Sequence, residues 1–169
     1  MAAWESLVQG LARAAIDGLK PNEAHLPPTG SDKRTEAYLL YRSQMQAWKL
    51  HRSTVLNRVK NYNTPNAENT RELLQLVGVD VKPYWSWECG RQLLTFQDVT
   101  TRLNGWLRVR HALAHGDAQL PNEAVLSGSK KGSGALRLED AEECVNFFEK
   151  LGKQTIEAVF EPGEPLALP

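Results

Sequence analysis

Cysteine is scarce in this chain: there are two in 169 residues, Cys89 and Cys144, far apart in sequence. That spacing excludes a disulfide framework and a compact thiolate metal site, and the pair is expected to be reduced in a cytosolic protein. Long apolar runs are missing too. No stretch approaches the about eighteen apolar residues of a membrane span, and Trp4 and Glu5 interrupt the start, so no signal peptide is expected. An excess of one charge is also absent. Lys and Arg number 20 and so do Asp and Glu, which removes the global positive field behind strong nonspecific duplex binding. No segment alternates with strand period, so no sheet is needed. No compact cluster of carboxylates or cysteines is present, so neither a metal nor another cofactor is expected.

What is there reads as one soluble domain over residues 1–169, with 41% hydrophobic and 24% charged residues. The charges are segregated. Residues 33–60 carry seven Lys or Arg against Glu36 alone, whereas 139–164 carry eight Asp or Glu against two Lys. Such faces can meet across a bundle or a dimer, or the basic one can meet RNA. Five tryptophans are many for this length; core packing accounts for most, with one or two available for a partner interface.

Apolar residues Trp4, Leu7, Val8, Leu11, Ala15 and Leu19 recur at helical spacing. Paired prolines and Gly30 then break the pattern. A long helix is expected over 36–60, with Tyr38, Tyr41, Met45, Trp48, Val55 and Val59 on one side and basic residues on the other. Asn66 is a candidate cap for a short helix that turns Leu73, Leu74 and Val77 inward and stops at Gly78. The stretch VDVKPYWSWECG resists assignment, and a turn of helix is expected around Leu93 and Leu94. Asp98 is a candidate cap for a helix running to His115, with Val99, Leu103, Trp106, Leu107, Ala112 and Leu113 on its apolar face. A last amphipathic helix covers 138–160. The expected architecture is all-α, a bundle of four to five helices, with loops at 20–35 and 116–137 and a flexible tail at 161–169.

The most pointed stretch is RVRHALAHGD, residues 108–117. On an ideal helix Arg110 and His115 stand about 140° apart, whereas Arg108, His111 and His115 share a face. Two geometries can bring Arg110 back to His115: unwinding of the last turn at Gly116, or a second copy of the chain supplying the other half of a cleft. The residue types suit phosphodiester cleavage in RNA. Guanidinium offers a planar fork to phosphate and stays charged. Imidazole exchanges protons near neutral pH, with a 2′-hydroxyl or a departing 5′-oxygen. A histidine at a helix C-terminus is also favoured by the helix dipole alone, so a purely structural role explains it equally.

Residues 110–115, RHALAH, match the Arg-four-residues-His motif of the HEPN superfamily of helical domains, many of which are metal-independent RNases of toxin and antiviral systems. His111 fills the polar position that follows the motif arginine, and Gly116 resembles the frequent His-Gly ending. The stretch NTPNAENTRELLQLVGVDVKPYW leading into WLRVRHALAHGD is similar to the RiboL-PSP-HEPN branch. In fold the resemblance covers about residues 34–160. It implies that Arg110 engages the scissile phosphate, that His115 activates the 2′-hydroxyl or serves as acid, and that His111 orients the site. It further implies a homodimer with two motifs facing one cleft, and products with a 2′,3′-cyclic phosphate and a 5′-hydroxyl. Arg108 lies outside the motif and is a candidate RNA-backbone contact or a solvated side chain. His51 has no acid–base partner within reach in sequence and reads as structural, and His25 in its proline-rich loop is uninformative.

Two other readings stand beside the cytoplasmic endoribonuclease: a catalytically silent HEPN-like module that binds protein or RNA, and a helical adaptor in which RHALAH is coincidental. A toxin held by an antitoxin or regulatory protein is a special form of the first. All of them require a helical chain. Far-ultraviolet circular dichroism should be dominated by helix, and a sheet-dominated spectrum would overturn the assignment.

Overall fold

A computed structural model describes residues 2–22, 36–90, 92–117, 119–127 and 136–160. The tail at 161–169, most of the expected 20–35 loop with His25, and residues 118 and 128–135 of the expected 116–137 loop fall outside the described residues. Among the described residues five helices, α1 (Ala2–Gly18), α2 (Glu36–Lys60), α3 (Ala67–Gln75), α4 (Phe96–His115) and α5 (Leu138–Phe160), make up nearly all of the regular structure. Between α3 and α4 lies one antiparallel hairpin, β1 (Trp87–Cys89) and β2 (Gln92–Leu94), in the register Trp87 to Leu94, Glu88 to Leu93 and Cys89 to Gln92.

The hairpin corrects two expectations: a bundle without any sheet, and a helical turn around Leu93 and Leu94. Three residues per strand are too few to display an alternating pattern. What favours strand here is tertiary. Leu94 is buried while Leu93 is exposed, and Trp87, opposite Leu94, packs its ring 5.9 Å from that of Phe147 on α5. Gly90 sits at φ +62°, a left-handed conformation that suits glycine in so tight a reversal.

α1 buries Trp4, Val8, Leu11, Ala12 and Ile16 and packs against α2, α3 and α5. α2 buries only Val55 and Val59 near its C-terminal end. Asn66 caps α3 as expected, its side chain accepting the Asn69 N–H at 2.8 Å, and Leu73, Leu74 and Val77 are buried. The chain turns away at Gly78, where φ is +79°. α4 starts differently from expectation. Thr95, not Asp98, is the N-cap, and Asp98 is the third residue of a capping box, accepting the Thr95 N–H at 2.9 Å. The Thr95 hydroxyl and N–H hold the Asp98 carboxyl below the usual aspartate range. The inner face of α4 is Val99, Leu103, Gly105, Trp106, Val109 and Ala112, whereas Leu113, expected inward, is exposed.

The tryptophans belong to the fold. Trp4, Trp85 and Trp106 are buried, and Trp48 and Trp87 are half-buried against the core. The Trp4 indole N–H donates to the Pro65 carbonyl at 3.1 Å, and that of Trp48 to the Ile16 carbonyl at 2.9 Å. Trp85 is 0% exposed, with its ring stacked on Phe96 at 6.1 Å and 6.4 Å from that of Trp4. Its N–H donates to Thr155 Oγ1 at 3.0 Å, and Thr155 in turn donates to the Leu151 carbonyl at 2.7 Å. Segment 79–86, which resisted assignment in the sequence, is thus the carrier of a central core residue.

Replacing Thr155 with Val keeps the side-chain shape and strands the indole N–H in an apolar site, which should cost about 1–3 kcal/mol. Urea unfolding measures it. Trp85→Phe should then cost less in the Thr155→Val background than in the wild type; equal costs in the two backgrounds would show that the hydrogen bond contributes nothing.

Candidate active site

α4 is regular through His115 and ends on Gly116 at φ +68°, ψ +32°. The Gly116 N–H reaches the Leu113 carbonyl at 3.2 Å and the Asp117 N–H reaches that of Ala112 at 3.0 Å, a left-handed helix ending that satisfies the last carbonyls. The last turn is therefore not unwound, and the first route by which Arg110 could rejoin His115 is removed. Within one chain the two stay about 140° apart around the axis. His111 and His115 do meet, with ring centroids 4.2 Å apart and planes inclined by 58°.

The two arginines of the stretch have different surroundings. Arg108 is bound to Glu123 in a two-pronged ion pair, Nε to Oε1 at 2.5 Å and Nη2 to Oε2 at 2.8 Å. Two parallel donors on one carboxylate occupy much of the guanidinium fork. Arg110 is exposed, and among the described residues no hydrogen bond or ion pair engages it.

Arg110 and His111 line a groove of about 680 Å³, together with Asn63, Thr64, Pro65, Asn66, Asn104, Leu107, Arg108, Ala112, Asp117, Gln119 and Pro121. His115, one turn beyond His111, is exposed and outside this lining. One wall is the loop entering α3, fixed from three sides. Trp4 holds the Pro65 carbonyl, Gln9 donates to the Tyr62 carbonyl at 3.1 Å, and Asn104 of α4 accepts the Ala67 N–H at 3.1 Å. Tyr62 is buried and shares a hydrogen bond with Thr70, and burial outweighs that contact and pushes its phenol far above the usual range.

Gln119 and Pro121 bring a second segment, 119–127, to the groove. Val125 lies 3.2 Å from where a Cβ on Gly105 would stand, so the absence of a side chain there lets the segment lie close on α4. Its end is tied to α5 by Asp140, which is 1% exposed and accepts the Ser127 N–H at 2.7 Å and the Arg137 N–H at 2.9 Å. Burial would raise the Asp140 carboxyl; the hydrogen bonds outweigh it and hold the carboxyl below its ordinary value.

The sequence reading missed both walls. The polar loop before Asn66 was visible, but its approach to α4 depends on Asn104. Glu123 sits in a turn-like PNEA segment that occurs twice in the chain, with nothing to mark the second copy as the Arg108 partner. His51 is half-buried on α2, its Nε2 buried without a hydrogen-bond partner. Cys89 is exposed and Cys144 half-buried, both are free thiols, and burial pushes the Cys144 thiol up. Among the described residues no group of three or more His, Cys, Asp or Glu is placed to hold a metal ion, and no helix is long and apolar enough to cross a membrane.

The chain is thus a small helical bundle that presents an unpaired arginine and adjoining histidines at one end of α4, the arginine and one histidine beside a groove. The family model RiboL-PSP-HEPN matches residues 1–161, and the chain belongs to that family. The matched region includes α1, whose Trp4 and Gln9 hold the groove loop. No curated protein and no solved structure matches the chain. Membership points to a nuclease or RNA-related role.

The left-handed cap gives the site its own test. A Cβ at Gly116 meets no neighbouring atom, so Gly116→Ala isolates the backbone cost, about 1–2 kcal/mol for an L-residue in that conformation. Thermal unfolding should show this loss for Gly116→Ala and a smaller one for Gly116→Asn. Unchanged stability of the alanine variant would mean that α4 does not end this way.

Proposed function

We propose that the chain is a cytoplasmic, metal-independent endoribonuclease. In this reading Arg110 takes the scissile phosphate, and His115 exchanges the reacting proton as base toward the 2′-hydroxyl or acid toward the 5′-oxygen. His111 orients the phosphate and its neighbour. The 2′-oxygen attacks phosphorus and loses its proton, and the P–O5′ bond breaks. The departing oxygen gains a proton, leaving a 2′,3′-cyclic phosphate and a 5′-hydroxyl. The observation that carries the reading is the groove beside Arg110 and His111 in a RiboL-PSP-HEPN chain, with Arg110 unengaged while its neighbour Arg108 is held by Glu123.

Because α4 keeps Arg110 and His115 on different faces, the reading includes a homodimer in which a second copy completes the cleft. A toxin or antiviral role, with an antitoxin or other protein restraining the activity, suits the family. That same separation, with His115 outside the groove lining, favours the second reading, a catalytically silent module that binds protein or RNA through the groove. In either case Arg108 braces the segment that carries Glu123, and a contact from it to the RNA backbone belongs to the endoribonuclease reading.

Cleavage of structured RNAs with chelator present separates the readings. Wild type should cleave, and His115→Ala should lose about 10²–10⁴-fold in rate with helix content unchanged. Arg110→Lys should also be poor, since an ammonium cannot present the planar fork. His51→Ala should remain active. Light scattering should report roughly twice 18.9 kDa. Full cleavage by both motif variants, or loss of wild-type cleavage on adding chelator, would leave the silent module as the better account.

A further inference from the structure

Two imidazoles stand four residues apart at the exposed end of α4, His111 and His115, with ring centroids 4.2 Å apart. Among the described residues neither makes a hydrogen bond or ion pair, so their ring nitrogens are not committed to a protein partner. Side chains at this spacing leave the helix about 5–6 Å apart at Cβ, the separation by which paired helical histidines reach one ion from the same side. Bonds of about 2.0–2.1 Å to each nitrogen place two tetrahedral ligands about 3.3 Å apart. The rings are already in contact, with centroids 4.2 Å apart, on adjacent turns of one regular helix. Gly116 holds the turn that carries His115 in helical form, so the pair is presented on a formed scaffold.

We infer that His111 and His115 form a two-imidazole site for zinc and similar d-block cations, and that an ion bound there silences the chain by occupying the nitrogens that proton transfer requires. The binding half stands on the histidine geometry, and the silencing half rests on the endoribonuclease reading. Imidazole suits such ions, whereas magnesium prefers oxygen ligands and keeps its water. No carboxylate or thiol completes the set among the described residues. Water therefore fills the remaining positions, and the ion is exchangeable, as a regulator is and a structural metal is not.

The test is calorimetric titration of the tag-free full chain with zinc chloride in a non-coordinating buffer. Wild type should show a saturable site that His111→Ala and His115→Ala each weaken at least tenfold. Cys89→Ser and His51→Ala should leave it unchanged, and magnesium should not compete. Both motif histidines are exposed, and circular dichroism checks that their variants are folded. In the cleavage assay, zinc at saturating concentration should abolish wild-type activity, and chelator should restore it. Absence of zinc binding, or binding that survives both histidine variants, overturns the site. Zinc bound at the pair with cleavage undiminished overturns the silencing. A chain that binds zinc through the pair and never cleaves RNA supports the site and counts against the endoribonuclease reading instead.

Discussion

Burying an indole N–H is costly unless an acceptor inside the protein receives it. Among the described residues the buried Trp106 indole N–H has none, whereas that of Trp85 is satisfied, and the arrangement of this bundle follows the way Trp85 finds its acceptor. Thr155 supplies the acceptor from the middle of α5, while the ring lies against Phe96 at the start of α4 and Trp4 at the start of α1. One side chain from an irregular segment thus sets three helices relative to each other. A single turn carries the ring, with the Trp85 backbone N–H donating to the Val81 carbonyl at 2.9 Å. The hairpin that follows brings the chain back to the Thr95 cap, from which α4 begins.

α4 does two jobs on opposite sides. Its inner face, Val99, Leu103, Trp106, Val109 and Ala112, is sealed in the core, which fixes the helix rotation. With rotation fixed, Arg110 and His111 have no choice of direction, and both border the groove. Asn104 and Arg108 then attach the two walls, one by an amide accepting the first N–H of α3 and the other by a guanidinium on Glu123. Preorganisation of this kind reduces what substrate binding has to spend on ordering the protein.

The helices were legible from apolar residues at helical spacing, although α2 buries only Val55 and Val59 of its stripe. The spacing of Trp4, Val8 and Leu11 or of Val99, Leu103 and Trp106 admits no other regular structure, and Asn66 and Gly78 act locally as cap and stop. The hairpin was not legible, since Trp87 and Leu94 are drawn together by Phe147, which lies far along the chain. The cap of α4 was misplaced by three residues because Thr95 and Asp98 are both good capping residues, and only the reciprocal hydrogen bonds tell which one stands outside the helix. Within the candidate site, residue types and order were legible in RHALAH, and so was the angular separation of Arg110 from His115. What escaped was every contact made across the fold: Glu123 to Arg108, Asn104 to the α3 loop, Val125 against Gly105. Those depend on loop paths, which carry no periodic signal.

The ion pair between Arg108 and Glu123 also fixes how the groove meets a polyanion. Of the two arginines in the lining, one is already neutralised, and Asp117 offsets part of what the other provides. Among the described residues of the lining, Arg110 is the only unpaired permanent cation. Each phosphate neutralised by a protein cation releases condensed counterions, and the logarithm of affinity falls with that of salt by about 0.7 per contact for a single strand. With one such contact per chain, a tenfold rise in salt weakens binding by only about fivefold per chain. On the proposed endoribonuclease reading, selection among RNAs then falls to shape and to the amides of Asn63, Asn104 and Gln119 rather than to charge.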